Sequence, residues 1–146
     1  MSDNLDDFVK GLQNEIFDDT KRDYGEKAFD RWLNPTYMHA MEKPDGHGRI
    51  TGSCGDTMEI FLKFENERVA DASFLTDGCG PSMICGSLAA ELAFGKVPDE
   101  LIEITDETIL ETIGGLPEED RHCARLAANT LWEAVDCYMK RVISVK

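Results

Sequence analysis

The hydrophobic positions at the start of the chain recur at helical spacing. Apolar residues three and four positions apart predict an amphipathic helix over residues 4–18 and a second helix over residues 21–33. The second helix must end near Asn34, because Pro35 disfavours helical geometry in the residue before it. Residues 34–48 are rich in proline and glycine, which predicts turns and loop.

The spacing then changes to that of β-strands. A short strand is expected over residues 49–52, a half-buried strand over residues 58–65, and a returning strand over residues 68–76 after a tight turn at Asn66. Two strands joined by a short turn form an antiparallel hairpin. The beginning of its first strand therefore lies beside the end of its second.

The rest of the chain has helical patterns separated by helix stops. We expect a helix over residues 81–94, a helical turn led by Pro98, and a short helix that Thr105 and Asp106 cap. A last, longest helix is expected to open at Leu116. Its apolar stripe indicates close packing against another element and consists of Ala124, Ala128, Leu131, Val135, Tyr138 and Val142.

Length and charge narrow the class of protein. A chain of 146 residues fits one domain that can bury its own core. Its formal net charge of −14 argues against nucleic acid or an anionic membrane as the main partner, and is compatible with metal cations or basic protein surfaces. We find no run of 18 apolar residues and no secretory signal, and therefore expect a cytoplasmic protein.

The five cysteines divide into two groups. In a reducing compartment, such cysteines indicate metal binding, sulfur handling or buried thiols rather than disulfides. Cys85 falls in register with Leu88 and Leu92, so we expect it in the core. Cys137 lies about 21 Å along the last helix from Cys123, which is too far for one metal site, so we also expect a structural role for it.

The second group lies at the edges of predicted elements. Cys54 and Asp56 share a glycine-flanked turn that allows a thiolate and a carboxylate to face one ion, and the hairpin brings Cys54 close to Cys79. His122 and Cys123 would supply the third part of such a site from the last helix. Three thiolates with one oxygen or imidazole ligand suit zinc or iron. The residue types alone leave open the alternative of three unrelated cysteines.

Several motifs, taken in order, resemble those of the IscU/NifU-type iron–sulfur cluster assembly scaffolds, closest to the NifU N-terminal branch. The match runs from about residue 30 to 140, and its motifs are Asn34-Pro35, Gly52–Met58, Thr76–Gly80, Leu116-Pro117 and His122–Ala124. The resemblance implies an α+β fold, in which helices pack on a small antiparallel sheet of about three strands (an IscU/NifU-like, SufE/NifU-type fold). We assign residues 21–146 to this domain and residues 1–20 to an amphipathic helical extension.

The resemblance also implies a function. Such a protein is a non-enzymatic scaffold that receives sulfur from a cysteine desulfurase, builds a labile [2Fe-2S] cluster with iron, and transfers it to apo iron–sulfur acceptor proteins. By this resemblance Cys54, Cys79 and Cys123 are the cluster ligands, and Cys123 is our choice for the first persulfide acceptor. Asp56 matches the aspartate that ligates metal and keeps the cluster labile, and His122 matches an alternative ligand.

One departure and two alternatives limit this interpretation. Where the IscU branch has Leu-Pro-Pro-Val-Lys, this chain has Leu116-Pro-Glu-Glu-Asp120, which argues against a dedicated Hsp70-type chaperone as a partner. Zinc would use the same ligands, so a zinc-bound sulfur acceptor that activates a desulfurase without building a cluster is the alternative. A zinc hydrolase is least favoured, because only Asp56 or His122 is available as a general base.

Overall fold

The structure of the chain is a computed structural model that describes residues 37–53, 55–78, 80–113 and 121–145. The two predicted N-terminal helices and the predicted boundary near residue 20 lie outside this part of the chain, so they stay predictions. The same holds for the Leu116–Asp120 segment.

Three antiparallel strands form one sheet in the order β1-β2-β3. They are β1 (Gly46–Thr51), β2 (Thr57–Glu65) and β3 (Arg68–Thr76). The register places Ile60 of β2 opposite Gly48 on one side and Phe74 on the other. The β2–β3 hairpin turns at Asn66 and Glu67, both with positive φ. The predicted hairpin and its turn are therefore confirmed.

Four helices follow the sheet. They are α1 (Gly80–Ala93), α2 (Pro98–Leu101), α3 (Asp106–Ile113) and α4 (Arg121–Val145). The predicted cap of α3 is present, because Thr108 N–H donates to Thr105 Oγ1 at 3.3 Å. Each of these elements agrees with its prediction to within a few residues, and α4 is described from Arg121 onward.

The predicted beginning of β1 was wrong by three residues. Gly46 and Gly48 were assigned to a loop, but they lie within the strand, where the backbone passes directly against α4. A Cβ on Gly48 would collide with the carbonyl oxygen of Thr130. These glycines therefore permit close packing of strand on helix, whereas the sequence pattern alone favours reading glycine as a loop residue.

The core lies between one face of the sheet and the helices. Its largest members are fully buried side chains of β2, β3 and the helices, including Met58, Ile60, Leu62, Phe74, Ile84 and Leu131. On α4, the predicted stripe is buried as far as Val135, and Tyr138 stacks on Phe64 with ring centroids 3.7 Å apart. Cys85 is fully buried in this core, as predicted, whereas Cys137 is half-buried. The predicted α+β class and three-stranded sheet are confirmed.

Among the described residues, no helix is long and apolar enough to cross a membrane.

Candidate functional site

Two turns meet at one edge of the sheet. The antiparallel register places Met58, at the start of β2, opposite Thr76, at the end of β3. Thr57 N–H donates to Asp77 Oδ1 at 2.7 Å, and Thr76 Oγ1 donates to the Thr57 carbonyl oxygen at 2.9 Å. These bonds join the turn before β2 to the loop after β3.

Asp56 reaches from the first turn to the second loop. Gly52 N–H donates to the Asp56 carbonyl oxygen at 2.8 Å, and Gly55 adopts a φ of +92°, so the turn closes tightly. The Asp56 carboxylate then lies so near Gly78 that a Cβ at Gly78 would be 2.9 Å from Asp56 Oδ2. The carboxylate therefore lies against the loop that leads to Cys79.

The first turns of two helices complete this edge. Ser82 is the third residue of α1 and Cys123 the third residue of α4, and both are fully buried. Ser82 Oγ donates to Asp56 Oδ2 at 3.3 Å and lies 3.5 Å from Cys123 Sγ. One serine hydroxyl thus lies between the predicted oxygen ligand and the predicted persulfide acceptor.

His122 lies on the solvent side of this group. Its side chain is exposed, and its Nε2 is 3.6 Å from Cys123 Sγ. The imidazole is therefore beside the thiol and is accessible to a partner or an ion. This position fits the alternative ligand that the motif resemblance assigned to His122.

The N-terminal turn of α1 is a position that favours anions. Helix N-termini carry partial positive charge from unpaired N–H groups. Within the described residues, the first turn of α1 has no acidic residue, and the Asp56 carboxylate approaches that turn from another element. Thiolates and carboxylates are the ionised forms that bind metal, so this environment supports metal-binding chemistry.

The predicted ligand set is described only in part. Within the described ranges, Asp56 and Cys123 both lie near Ser82 Oγ, and His122 lies beside Cys123, whereas Cys54 and Cys79 lie outside these ranges. Their chain neighbours Ser53, Gly55 and Gly78 lie in the two turns at this edge. Within the described ranges alone, we find no group of three histidine, cysteine or acidic side chains that could hold a metal ion. The five-residue ligand set therefore stays a prediction.

Sequence reasoning missed Ser82. It sits on a helix whose side chains are buried nearly all round, so its hydroxyl needs a polar partner inside the protein. That signal was available in the sequence: α1 is mostly apolar, with Ser87 and Glu91 as its other polar residues, and Ser82 follows the Cys79-Gly-Pro segment directly. What the sequence did not reveal is which partner the hydroxyl would have.

The comparisons with known proteins bear on the family of the chain. The family model described as the NifU-like N terminal domain matches residues 23–145. The chain is 37% identical over 119 residues to the iron–sulfur cluster assembly scaffold protein IscU 1 of Archaeoglobus fulgidus, covering 81% of this chain and 78% of that protein. It is 34% identical over 122 residues to the scaffold protein IscU of Aquifex aeolicus, covering 82% and 78%.

A solved structure has the same fold. The crystal structure of a nitrogen-fixing NifU-like protein (N-terminal) from Brucella abortus superimposes with a TM-score of 0.65 at 18% identity, covering 84% of this chain and 98% of that one. At this identity the likeness concerns the fold. Together with the family match over most of the chain, it establishes that this chain belongs to the NifU-like N-terminal domain family, as its motifs had indicated.

Proposed function

We propose that the protein is a non-enzymatic scaffold for iron–sulfur cluster assembly. It accepts sulfur from a cysteine desulfurase, builds a [2Fe-2S] cluster on Cys54, Cys79, Cys123 and Asp56, and releases the cluster to apo iron–sulfur proteins. The relatives named above are scaffolds of this kind by name. The cluster is the cargo of the protein rather than a resident cofactor.

The observation that carries this proposal is the convergence of Asp56 and Cys123 on Ser82. A carboxylate from the sheet edge and a thiol from α4 lie within hydrogen-bonding reach of one hydroxyl, at the edge where the turns that hold Cys54 and Cys79 meet. Iron and sulfane sulfur both prefer thiolates, and a carboxylate beside them supplies a harder ligand. The donor set therefore fits iron, and it fits zinc as well.

Sulfur transfer to Cys123 follows from thiolate chemistry. The Cys123 thiolate attacks the outer sulfur of a desulfurase persulfide, the S–S bond there breaks, and the desulfurase thiolate leaves. This exchange involves no net oxidation. Reduction of two sulfane sulfurs to sulfide takes four electrons, of which two come from oxidation of the two Fe²⁺ ions to Fe³⁺ and two from an external electron donor. Because Cys123 is fully buried, delivery requires local opening of the surface when the desulfurase binds.

The charge of the chain is compatible with such a protein partner. With 29 acidic and 15 basic residues, it attracts partners with basic docking surfaces. We expect the desulfurase that binds this site to offer such a surface, and we expect the reaction to take place in the cytoplasm. No dedicated Hsp70-type chaperone is part of the proposal, since Asp120 replaces the lysine of the motif that the IscU branch carries.

The test is anaerobic reconstitution with Fe²⁺, cysteine, a desulfurase and a thiol reductant. We expect visible absorbance of a [2Fe-2S] centre, and its loss when Cys54, Cys79 or Cys123 is changed to Ala. Cys137→Ala is the matched control, because Cys137 is half-buried far along α4 from Cys123 and should leave the absorbance unchanged. A colourless protein from an otherwise competent reaction would refute the scaffold.

The same reaction distinguishes the zinc alternative. A zinc-bound sulfur acceptor would stay colourless with iron and would raise desulfurase turnover, measured as alanine formed from cysteine. A scaffold incorporates the released sulfur as acid-labile sulfide bound to the protein.

Asp56→Ala tests the role of the carboxylate. A carboxylate matches cluster iron less well than a thiolate does, and we infer that exchange at Asp56 is the route by which the cluster leaves. We therefore expect the cluster on the variant to survive several-fold longer and to transfer more slowly to an apo-ferredoxin. The decay of visible absorbance measures the lifetime, and a shorter lifetime than in the unmodified protein would contradict the assigned role.

A further inference from the structure

Ser82 occupies a position that the scaffold chemistry above does not explain. Its hydroxyl is fully buried, within reach of a carboxylate oxygen and of a thiol sulfur. A serine hydroxyl has one proton, so it donates one hydrogen bond at a time while its lone pairs accept others. A carboxylate oxygen is a stronger acceptor than a thiol sulfur, so of these two contacts the shorter one, to Asp56 Oδ2, is the more favourable hydrogen bond.

This one hydroxyl connects three separate elements. Asp56 belongs to the turn between β1 and β2, Ser82 to α1 and Cys123 to α4. These elements are far apart in sequence, and the carboxylate is only partly buried. A short side chain on a turn has several staggered rotamers, and a hydrogen bond from a rigid helix selects one of them.

We infer that Ser82 is a positioning residue that holds the Asp56 carboxylate beside the Cys123 thiol. A metal ion or cluster iron then meets an oxygen and a sulfur ligand that are already arranged. Hydrogen-bond partners behind metal ligands commonly act in this way. The inference rests on the proposed function, because it assigns Ser82 a task in the same site.

A purely structural role predicts a different pattern. A Cβ on Gly78 would lie 2.8 Å from Ser82 Cβ, so the Cβ of Ser82 already fills the space between α1 and the Gly78 loop. Alanine keeps this Cβ and removes only Oγ. If Ser82 acts by packing, Ser82→Ala should leave metal binding unchanged. If it acts by positioning, metal binding should weaken while the fold remains.

The first experiment measures Zn²⁺ affinity by competition with a chromophoric chelator. For Ser82→Ala we expect the Zn²⁺ affinity to fall about 10-fold. This is the lower end of the loss that is typical when a hydrogen-bond partner of a metal ligand is removed. Ser73→Ala is the matched control, because Ser73 is also fully buried and its Oγ has no hydrogen-bond partner within the described residues. We expect its affinity to equal that of the unmodified protein.

Co²⁺ in place of Zn²⁺ gives a spectroscopic measure of the ligands. The d–d bands of bound Co²⁺ respond to the geometry and identity of its donors. If Asp56 is no longer held, the bands of Ser82→Ala should shift toward those of Asp56→Ala. Bands of Ser82→Ala identical to those of the unmodified protein would overturn the inference.

A double-mutant cycle shows whether Ser82 acts through Asp56. Combined with Asp56→Ala, Ser82→Ala should cause no further loss of Zn²⁺ affinity, because the group that it positions is already gone. An equal 10-fold loss in both backgrounds would overturn the inference. Unfolding of Ser82→Ala, measured by circular dichroism, would make Ser82 a structural residue and would also overturn it.

The outcomes separate this inference from the proposed function. If the unmodified protein builds a cluster and Ser82→Ala binds Zn²⁺ and Co²⁺ as the unmodified protein does, the inference fails and the scaffold stands. If the unmodified protein binds Zn²⁺ with the expected Ser82 dependence but builds no cluster, the scaffold fails and the positioning role stands.

Discussion

At two places, one in β1 and one in the loop after β3, a glycine lies very close to a helix. The two contacts have different consequences. Where β1 crosses α4, a Cβ on Gly48 would collide with the Thr130 carbonyl oxygen and lie 2.7 Å from Ala134 N. At the site edge, a Cβ on Gly78 would lie 2.7 Å from Ser82 Oγ and 2.9 Å from Asp56 Oδ2. At Gly48 the two nearest neighbours are backbone atoms of α4, whereas at Gly78 the three nearest are side-chain atoms: Ser82 Oγ, Asp56 Oδ2 and, at 2.8 Å, Ser82 Cβ.

Because their neighbours differ, substitutions at the two glycines should affect different properties of the protein. Backbone atoms of a packed helix cannot move alone, so any group inserted at Gly48 must displace α4 from the sheet. The oxygens of Ser82 and Asp56 can rotate away from a group inserted at Gly78, but Ser82 Cβ, 2.8 Å away, cannot, so the Gly78 loop would also shift against α1. The β1–α4 contact therefore serves the fold, and the Gly78 contact concerns the arrangement of the proposed ligands.

Gly48→Ala should have the largest effect on stability. Because α4 must shift along its contact with β1, we expect a loss of about 3 kcal/mol or more in the free energy of unfolding. Urea denaturation followed by circular dichroism measures it. Gly52→Ala is the matched control on the same chain segment, since its Cβ would lie 3.5 Å from a Leu126 methyl group, an ordinary contact.

The Gly48→Ala variant also tests whether the two regions differ in their effect on metal binding. We expect the folded fraction of Gly48→Ala to bind Zn²⁺ as the unmodified protein does. Stability equal to that of Gly52→Ala would show that β1 and α4 separate easily, and the distinction between the two regions would fail.

Gly78→Ala should affect Zn²⁺ affinity more than stability, the opposite of Gly48→Ala. The added Cβ would push Ser82 Oγ and Asp56 Oδ2 apart, so we expect Zn²⁺ affinity to fall about 10-fold, the scale at which disturbed metal-ligand partners act. The free energy of unfolding should fall by about 1–2 kcal/mol, less than in Gly48→Ala, because the Gly78 loop and not a packed helix must shift. Chelator competition and urea denaturation measure the two quantities on the same sample.

Gly52→Ala again serves as the control, because Gly52 lies at the same edge without such close polar neighbours. A large loss of stability in Gly78→Ala with unchanged Zn²⁺ affinity would reverse the roles of the two regions.

The regular elements of the fold could be predicted because each is specified locally. The alternation over 58–65 and 68–76 and the positive-φ turn at Asn66 give the hairpin, and Thr105 marks the beginning of α3. The hairpin alone predicts that the turn holding Asp56 meets the loop after β3. The motifs identified the family, because three cysteine-containing segments in order are specific.

The remaining features depend on partners distant in sequence. Gly46 and Gly48 carry turn signals, and only the approach of α4, more than 80 residues later, shows that they belong to a strand. Ser82 likewise acquires meaning only from Asp56 and Cys123, which come from two other elements. Local patterns contain no information on such contacts.

Tyr138 offers the smallest and most selective perturbation of the β1–α4 region. Its ring stacks on Phe64, and its Cβ would lie 3.2 Å from a Cβ on Gly46, at the end of β1 away from the site. Burial raises the pKa of the Tyr138 phenol above its usual 10.0, and the nearby carboxylates of Glu67 and Asp45 raise it further.

A raised pKa in the folded state means that the folded protein holds the phenolic proton more tightly than the unfolded chain. The resulting stability is present below about pH 10 and is lost as pH rises through the folded pKa. Tyr138→Phe keeps the ring and has no proton to lose. Between about pH 9 and pH 11, urea denaturation should therefore show a slightly larger loss of stability in the unmodified protein than in Tyr138→Phe. Equal losses would show that ionisation of the phenol does not affect the β1–α4 contact. The stability of this region would then depend on backbone packing at the glycines.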